Sequence, residues 1–290
     1  MSDEGTITAT DGRCVGYKDY GPDGAVPVLW CHGGPGSRMG LGTAADEAAE
    51  AGFRLVGIDR PGYGLSTPWP GRSIADWVPD GIAVADHLGI DRFVAVGVST
   101  GGAYALALAA LHPDRVLGVI ACCALTDMRW EEGRALIPGP ATHGIWEAAG
   151  RDEALAIATE VFGADGTKIA SVAADGTPLP PADMELLSDP AFIGEMLGGV
   201  EHMFAWGPQG YADDRIADGA GWISFDVSKM RCPVTVLHGD SDTIAHPAFA
   251  PHTAEIVPNA VLSMREGLGH FSITTKVVET LSAMPLPPLP

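Results

Sequence analysis

The sequence predicts an α/β protein: a mostly parallel, doubly wound sheet of eight strands, with a helical cap inserted into it. Three observations predict this. Strand-length segments such as "VPVLWC" and "FVAVGV" are apolar throughout, as strands covered on both faces must be. They alternate with amphipathic or alanine-rich helical segments, the order of a parallel sheet wrapped by helices. The alternation then stops over residues 127–228, a stretch rich in Gly, Pro, Asp and Trp, and resumes at 229. Residues 1–126 and 229–290 are therefore expected to form the core and 127–228 the cap.

In chain order, residues 5–22 divide at "TDGR" into two short strands, and "AVPVLWCHG" (25–33) supplies a third. "TAADEAAEA" predicts a helix, "FRLVGID" (53–59) a strand, and "SIADWVPDGIAVADHLGI" (73–90) an amphipathic helix in spite of Pro79. "RFVAVGV" (92–98) leads through "STGG" into the alanine-rich helix "GGAYALALAALHP", which "VLGVIACCAL" (116–125) follows as the next strand. Within the cap, "IWEAAGRDEALAIATEVFG" is helical. Beyond it come strand "CPVTVLHG" (232–239), helix "PAFAPHTAEIV", strand "AVLSMRE" (260–266) and a last helix, with the proline-rich "MPLPPLP" a loose tail.

Composition narrows the function. At 290 residues with 46% hydrophobic residues the chain can bury a substantial core, yet no apolar run reaches the roughly 18 residues of a membrane span. "MSDEGTITATDGR" is acidic where an export signal is basic and then apolar, which predicts a cytoplasmic protein. The net charge of −20 repels phosphate backbones and anionic lipid surfaces, so neither nucleic acid nor membrane is an expected partner. Five cysteines (Cys14, Cys31, Cys122, Cys123, Cys232) with no C-x-x-C pair predict buried free thiols.

Ligands of such a sheet bind outside the carboxyl ends of its strands. Four loops gather polar residues there. Gly97-Val98-Ser99-Thr100-Gly101 matches G-x-S-x-G between a strand and a helix, where small flanking residues permit the strained turn of a nucleophile. "HGGPGS" (32–37) offers backbone N–H groups unobstructed by side chains, as an oxyanion hole requires. "HGDSD" (238–242) and "GLGHFS" (267–272) follow later strands, giving the chain order serine, acid, histidine.

With "HGGPGS", "DRPGYGLS" (59–66), "GVSTGG" (97–102), "HGDSD" and "GLGHFS", the chain resembles the α/β-hydrolase family over essentially its whole length. The resemblance implies a cofactor-free, metal-free serine hydrolase acting on a small, partly apolar ester, thioester, lactone or amide, as a monomer or homodimer. It implies Ser99 as nucleophile, His270 as the proton carrier at its ordinary pKa near 6.5, and the backbone N–H groups of Gly34 and Thr100 as the oxyanion hole. Family spacing selects Asp242 as the orienting acid over Asp240, with Asp127 a third candidate. His32 is expected to brace the oxyanion loop.

"HGGPGS" also looks like the loop of proline iminopeptidases, and "VEHMF" (200–204) nominates Glu201 to hold a substrate amine. Against this, those enzymes carry a tryptophan where this chain has Thr100. Phe204 and Trp206, with Trp146, Phe162, Met196, Met203 and Trp222, are candidates for an apolar lining or for the core of the cap. A cofactor-independent lyase or C–C bond hydrolase, and a ligand-binding receptor with a slow triad, are the readings from other classes. The aspartate that the resemblance places at this position in haloalkane dehalogenases and most epoxide hydrolases is replaced by Ser99, which disfavours those activities.

Overall fold

The computed structural model describes residues 3–39, 41–137, 144–169 and 178–287. Its centre is one eight-stranded sheet, built from β1 (Asp3–Thr8), β2 (Cys14–Asp19), β3 (Val26–Cys31), β4 (Phe53–Ile58), β5 (Phe93–Val98), β6 (Val116–Cys122), β8 (Val234–Gly239) and β9 (Ala260–Arg265). A short strand of the cap, Ala205–Pro208, is β7 and stays outside the sheet. The strand order is β1-β2-β4-β3-β5-β6-β8-β9. β1 and β2 run antiparallel at one edge and the rest pair in parallel, as the apolar segments predict.

Each parallel strand sends alternate side chains into two separate cores. Leu29, Cys31, Phe93 and Ala95 pack on one face with α2 (Ile74–His87) and α3 (Gly101–Leu111). Val28, Trp30, Val94 and Val96 pack on the other with α1 (Gly42–Glu50) and the terminal helix Val277–Ala283. Full burial of each leucine or valine contributes about 1.5–3 kcal/mol, and the two-sided arrangement explains why the strands lack polar alternation.

Two helices matter for the site. α2 persists through Pro79 because its first turn is closed by a capping box, Ser73 with Asp76, and because Trp77, Val78, Val84 and Ala85 are buried. α3 is buried on all sides up to Ala110, which its run of Ala and Leu permits and a charged face would not.

The chain runs from β3 to β4 on one side, then crosses back to β5 on the other side of β3. That reversal opens a crevice between the carboxyl ends of β3 and β5, where the "HGGPGS" loop and Ser99 emerge. Between β6 and β8 lies the cap. Its helices Arg151–Phe162 and Gln209–Gly219 enclose a small apolar core of Ile145, Ala154, Phe162, Phe204 and Tyr211. No helix among the described residues is long and apolar enough to cross a membrane. Cys31, Cys122, Cys123 and Cys232 are buried free thiols; Cys14, at the start of an edge-side strand, is exposed, unlike the expectation for it. The last three prolines and leucines of the predicted tail, 288–290, lie outside the described residues.

Candidate active site

The turn between β5 and α3 holds Ser99 at φ 54°, in the left-handed region that side-chain-bearing residues seldom occupy. The flanking glycines make room for it. A Cβ on Gly101 would stand 2.0 Å from the Cys31 carbonyl oxygen, and one on Gly97 would stand 2.2 Å from the carbonyl oxygen of Gly101. α3 therefore begins directly against the end of β3, and Ser99 comes to rest beside Gly33: a Cβ there would lie 3.5 Å from that of Ser99. Ser99 N donates to Cys122 O at 2.9 Å and Gly102 N to Ser99 O at 3.0 Å, fixing the turn from both sides. Ser99 Oγ has no hydrogen bond among the described residues.

At the neighbouring strand ends, His270 Nδ1 meets Asp242 Oδ2 at 2.9 Å. The other oxygen, Oδ1, accepts from the N–H groups of Ile244 and Ala245, both at 2.8 Å. His238 Nε2 lies 3.3 Å from Oδ2. Burial works to raise the Asp242 pKa, but His270 and His238 prevail and hold it well below the usual carboxylate range. The competing acids are elsewhere. Asp240 accepts from Gly267 N at 2.8 Å, and Asp127 is occupied by Arg129 and by Trp222 N.

The sequence reading missed Cys123. This residue also has a positive φ, 40°, and its Sγ, a His270 ring nitrogen and an Asp242 oxygen lie within 4.8 Å of one another. Burial opposes charge on His270; the Cys123 sulfur and the Asp242 carboxylate favour it and prevail, so the imidazole pKa stands well above its ordinary value. Burial pushes the Cys123 thiol itself well up, leaving it protonated, so Asp242 is the lasting charge opposite the ring. The expected value near 6.5 is thus corrected upward.

The "HGGPGS" loop rests on a buried charged cluster that no local sequence pattern reveals. His32 Nδ1 bonds to Gly33 O at 2.7 Å while its Nε2 accepts from Arg60 N at 3.1 Å, and burial followed by Arg60 lowers its pKa well below normal. A neutral ring that both donates and accepts braces this loop. Arg60 donates to the carbonyls of His32 and Gly33. Arg60, Arg72, Tyr63 and Tyr104 then converge on Asp214 of the cap helix Gln209–Gly219, with Arg60 Nη2 and Tyr63 Oη each at 2.7 Å. Its neighbour Arg215 donates to Thr100 Oγ1 and to Asp218. Burial raises the Asp214 pKa, but Arg60 and Arg72 overcome it and hold the group far below the carboxylate range; Asp218, where burial wins, is pushed up to about 6. A Cβ on Gly34 would sit 3.2 Å from Thr100 Oγ1 and 3.4 Å from Arg215 Nη2, so the loop lies directly on this cluster.

The three cap candidates have other contacts. Phe204 is buried in the cap core, its ring centroid 5.4 Å from that of Phe162. Trp206 Nε1 donates to Gly64 O at 3.2 Å, tying the cap to the 60–66 loop. The Glu201 side chain is 82% exposed and faces His202 at 3.7 Å. Phe204 therefore packs the cap, and among the described residues no buried group pairs with Glu201. Of the remaining aromatic candidates, Phe162 joins the same core, Trp146 stacks under Arg215 at 4.4 Å, and Trp222 lines a separate surface cavity with Asp127, Trp130 and His252.

A family model described as alpha/beta hydrolase fold matches residues 26–139. The chain is 26% identical over 281 residues to a non-heme chloroperoxidase of Streptomyces lividans, covering 93% of this chain and 94% of that protein. It is 36% identical over 111 residues to a bifunctional esterase/perhydrolase of Acinetobacter calcoaceticus, covering 38% of this chain and 40% of that one. Among solved structures, the enol-lactonase of Burkholderia xenovorans LB400 superposes with a TM-score of 0.72 at 19% identity, over 96% of this chain and 98% of the other. The sheet order and these similarities show that the chain has the α/β-hydrolase fold.

Proposed function

We propose that this α/β hydrolase is a serine hydrolase that cleaves an ester, thioester, lactone or amide of a small, partly apolar substrate through an acyl-enzyme. The observation that carries the reading is Ser99 held in a left-handed turn at the end of β5, with the His270–Asp242 pair at the ends of strands nearby. His270 takes the proton of Ser99 as Oγ bonds to the acyl carbon, then returns it to the leaving group as that bond breaks. Water, deprotonated by the same imidazole, attacks the acyl-enzyme and releases the acid and Ser99. The N–H groups of Gly34 and Thr100 receive the oxyanion, where one donor is worth about 100–1000-fold in rate.

Asp242 fixes the tautomer: with Nδ1–H given to the carboxylate, Nε2 is left to act. Ser99 Oγ needs no hydrogen bond in the free enzyme for this, since such contacts tighten on substrate binding. The esterase activity named for the Acinetobacter relative accords with this chemistry.

The test is labelling with a fluorophosphonate, followed by a panel of p-nitrophenyl esters, lactones and aminoacyl amides. Ser99 is expected to be labelled, and Ser99→Ala to lose kcat by about four or more orders of magnitude while unfolding at the wild-type temperature. Unlabelled Ser99, or a Ser99→Ala protein that still turns over esters, overturns the reading.

A further inference from the structure

The His270 loop is not held by the sheet domain alone. Asp183, on the cap helix Pro181–Leu186, is completely buried, and its carboxylate reaches the residues on the far side of the histidine. Oδ1 accepts from Ser272 N at 2.8 Å and from Ser272 Oγ at 2.6 Å; Oδ2 accepts from Phe271 N at 3.3 Å. Ser272 Oγ in turn accepts from Gly269 N at 2.9 Å. One cap carboxylate therefore gathers the residues on both sides of His270. The approach is close enough to require a glycine before the histidine, because a Cβ on Gly269 would stand 2.4 Å from Asp183 Oδ2 and 2.4 Å from Pro180 Cγ.

The partners of Asp183 are N–H and O–H groups, with no cation paired to it among the described residues. A buried carboxylate costs several kcal/mol to desolvate, and a fastening that only joined cap to core would be served as well by apolar contact. What the carboxylate adds is direction. It accepts from the first N–H groups of the 3-10 helix Ser272–Lys276, fixing the backbone that carries the imidazole toward Asp242.

From this we infer that Asp183 is a positioning residue, supplied by the cap, that sets His270 in its working orientation; the inference rests on the serine-hydrolase reading above. The cap thereby completes the proton-transfer machinery as well as covering it. A shift of about 1 Å in such a group costs on the order of a hundredfold in rate.

The test compares Asp183→Ala with Asp183→Asn, in which an amide oxygen of the same size can still accept. Hydrolysis of p-nitrophenyl butyrate is followed across pH, and the far-downfield proton resonance between His270 and Asp242 is recorded by NMR without substrate. Asp183→Ala is expected to lose kcat by about ten- to a hundredfold with KM little changed, to move the acid limb of kcat/KM, and to shift or broaden the resonance; Asp183→Asn restores most of each. Wild-type kcat, pH profile and resonance in Asp183→Ala would overturn the inference, as would a loss that Asn does not restore with the resonance unmoved.

If Asp183→Ala fails to fold, Ser272→Ala removes the hydroxyl link while leaving the backbone donors, and the same changes are expected on a smaller scale; their absence overturns the inference. A wild-type protein that hydrolyses no acyl substrate, yet whose resonance moves in Asp183→Ala, would remove the hydrolase reading and support the positioning role.

Discussion

Two buried aspartates attach the cap to the core, and they do so by opposite physics. Asp214 sits among Arg60, Arg72, Tyr63 and Tyr104, a cluster in which every charge is out of water and has a partner. Among the described residues Asp183 takes only backbone N–H groups and one hydroxyl. The first anchor lies under the "HGGPGS" loop and joins long side chains; the second grips the backbone beside His270. A charged cluster resists dismantling, because removing one member strands the others. A carboxylate on backbone donors is directional but has less to lose. The "HGGPGS" side of the site thus rests on a charged cluster, whereas the histidine side depends on a lighter contact.

The largest expected effect separates the two anchors by stability. Asp214→Asn removes the charge opposite Arg60 and Arg72 and should cost about 3–5 kcal/mol in chemical denaturation. Asp183→Ala, which leaves neutral donors unpaired, should cost about 1–3 kcal/mol. Equal losses would erase the distinction.

A smaller effect concerns pH. A raised His270 pKa means that the imidazole is protonated, and unable to accept a proton, until the pH passes its folded value. The acid limb of kcat/KM should therefore lie above about 6.5, the ordinary imidazole value, with activity rising toward alkaline pH. A limb at or below 6.5 in the wild type would show that the local field has been misjudged.

Least is expected of a third cap aspartate. Asp189 is exposed and only caps the helix Pro190–Gly198 through Ala191 N at 2.8 Å. Asp189→Ala should cost about 1 kcal/mol and leave kcat unchanged. A fall in kcat there would mean that cap stability in general, rather than the Asp183 contact, controls the site.

Much of the site was legible because its parts are local. The turn at Ser99 needs Gly97 and Gly101 next to it in sequence, and the strand that precedes it and the helix that follows it are apolar enough to read without a structure. Asp242 and His270 each follow a strand, so their place at one end of the sheet follows from topology. What stayed hidden are contacts between distant residues: Asp214 with Arg60 is 154 positions apart, and Asp183 with Ser272 is 89. Phe204 shows the converse, an aromatic residue whose spacing suits a lining as well as a core, and which burial alone assigns to the core.

The sequence by itself therefore determined the order of strands and helices and which residue types stand in the strand-end loops, since each depends on neighbouring residue types. Only the tertiary structure decided which acids meet which bases. An aspartate in the cap segment looks the same in sequence whether it is solvated like Asp189, buried among arginines like Asp214, or folded against the histidine loop like Asp183. The difference lies in what surrounds it, and burial in a low-dielectric interior is what turns that surrounding into charge state, orientation and energy.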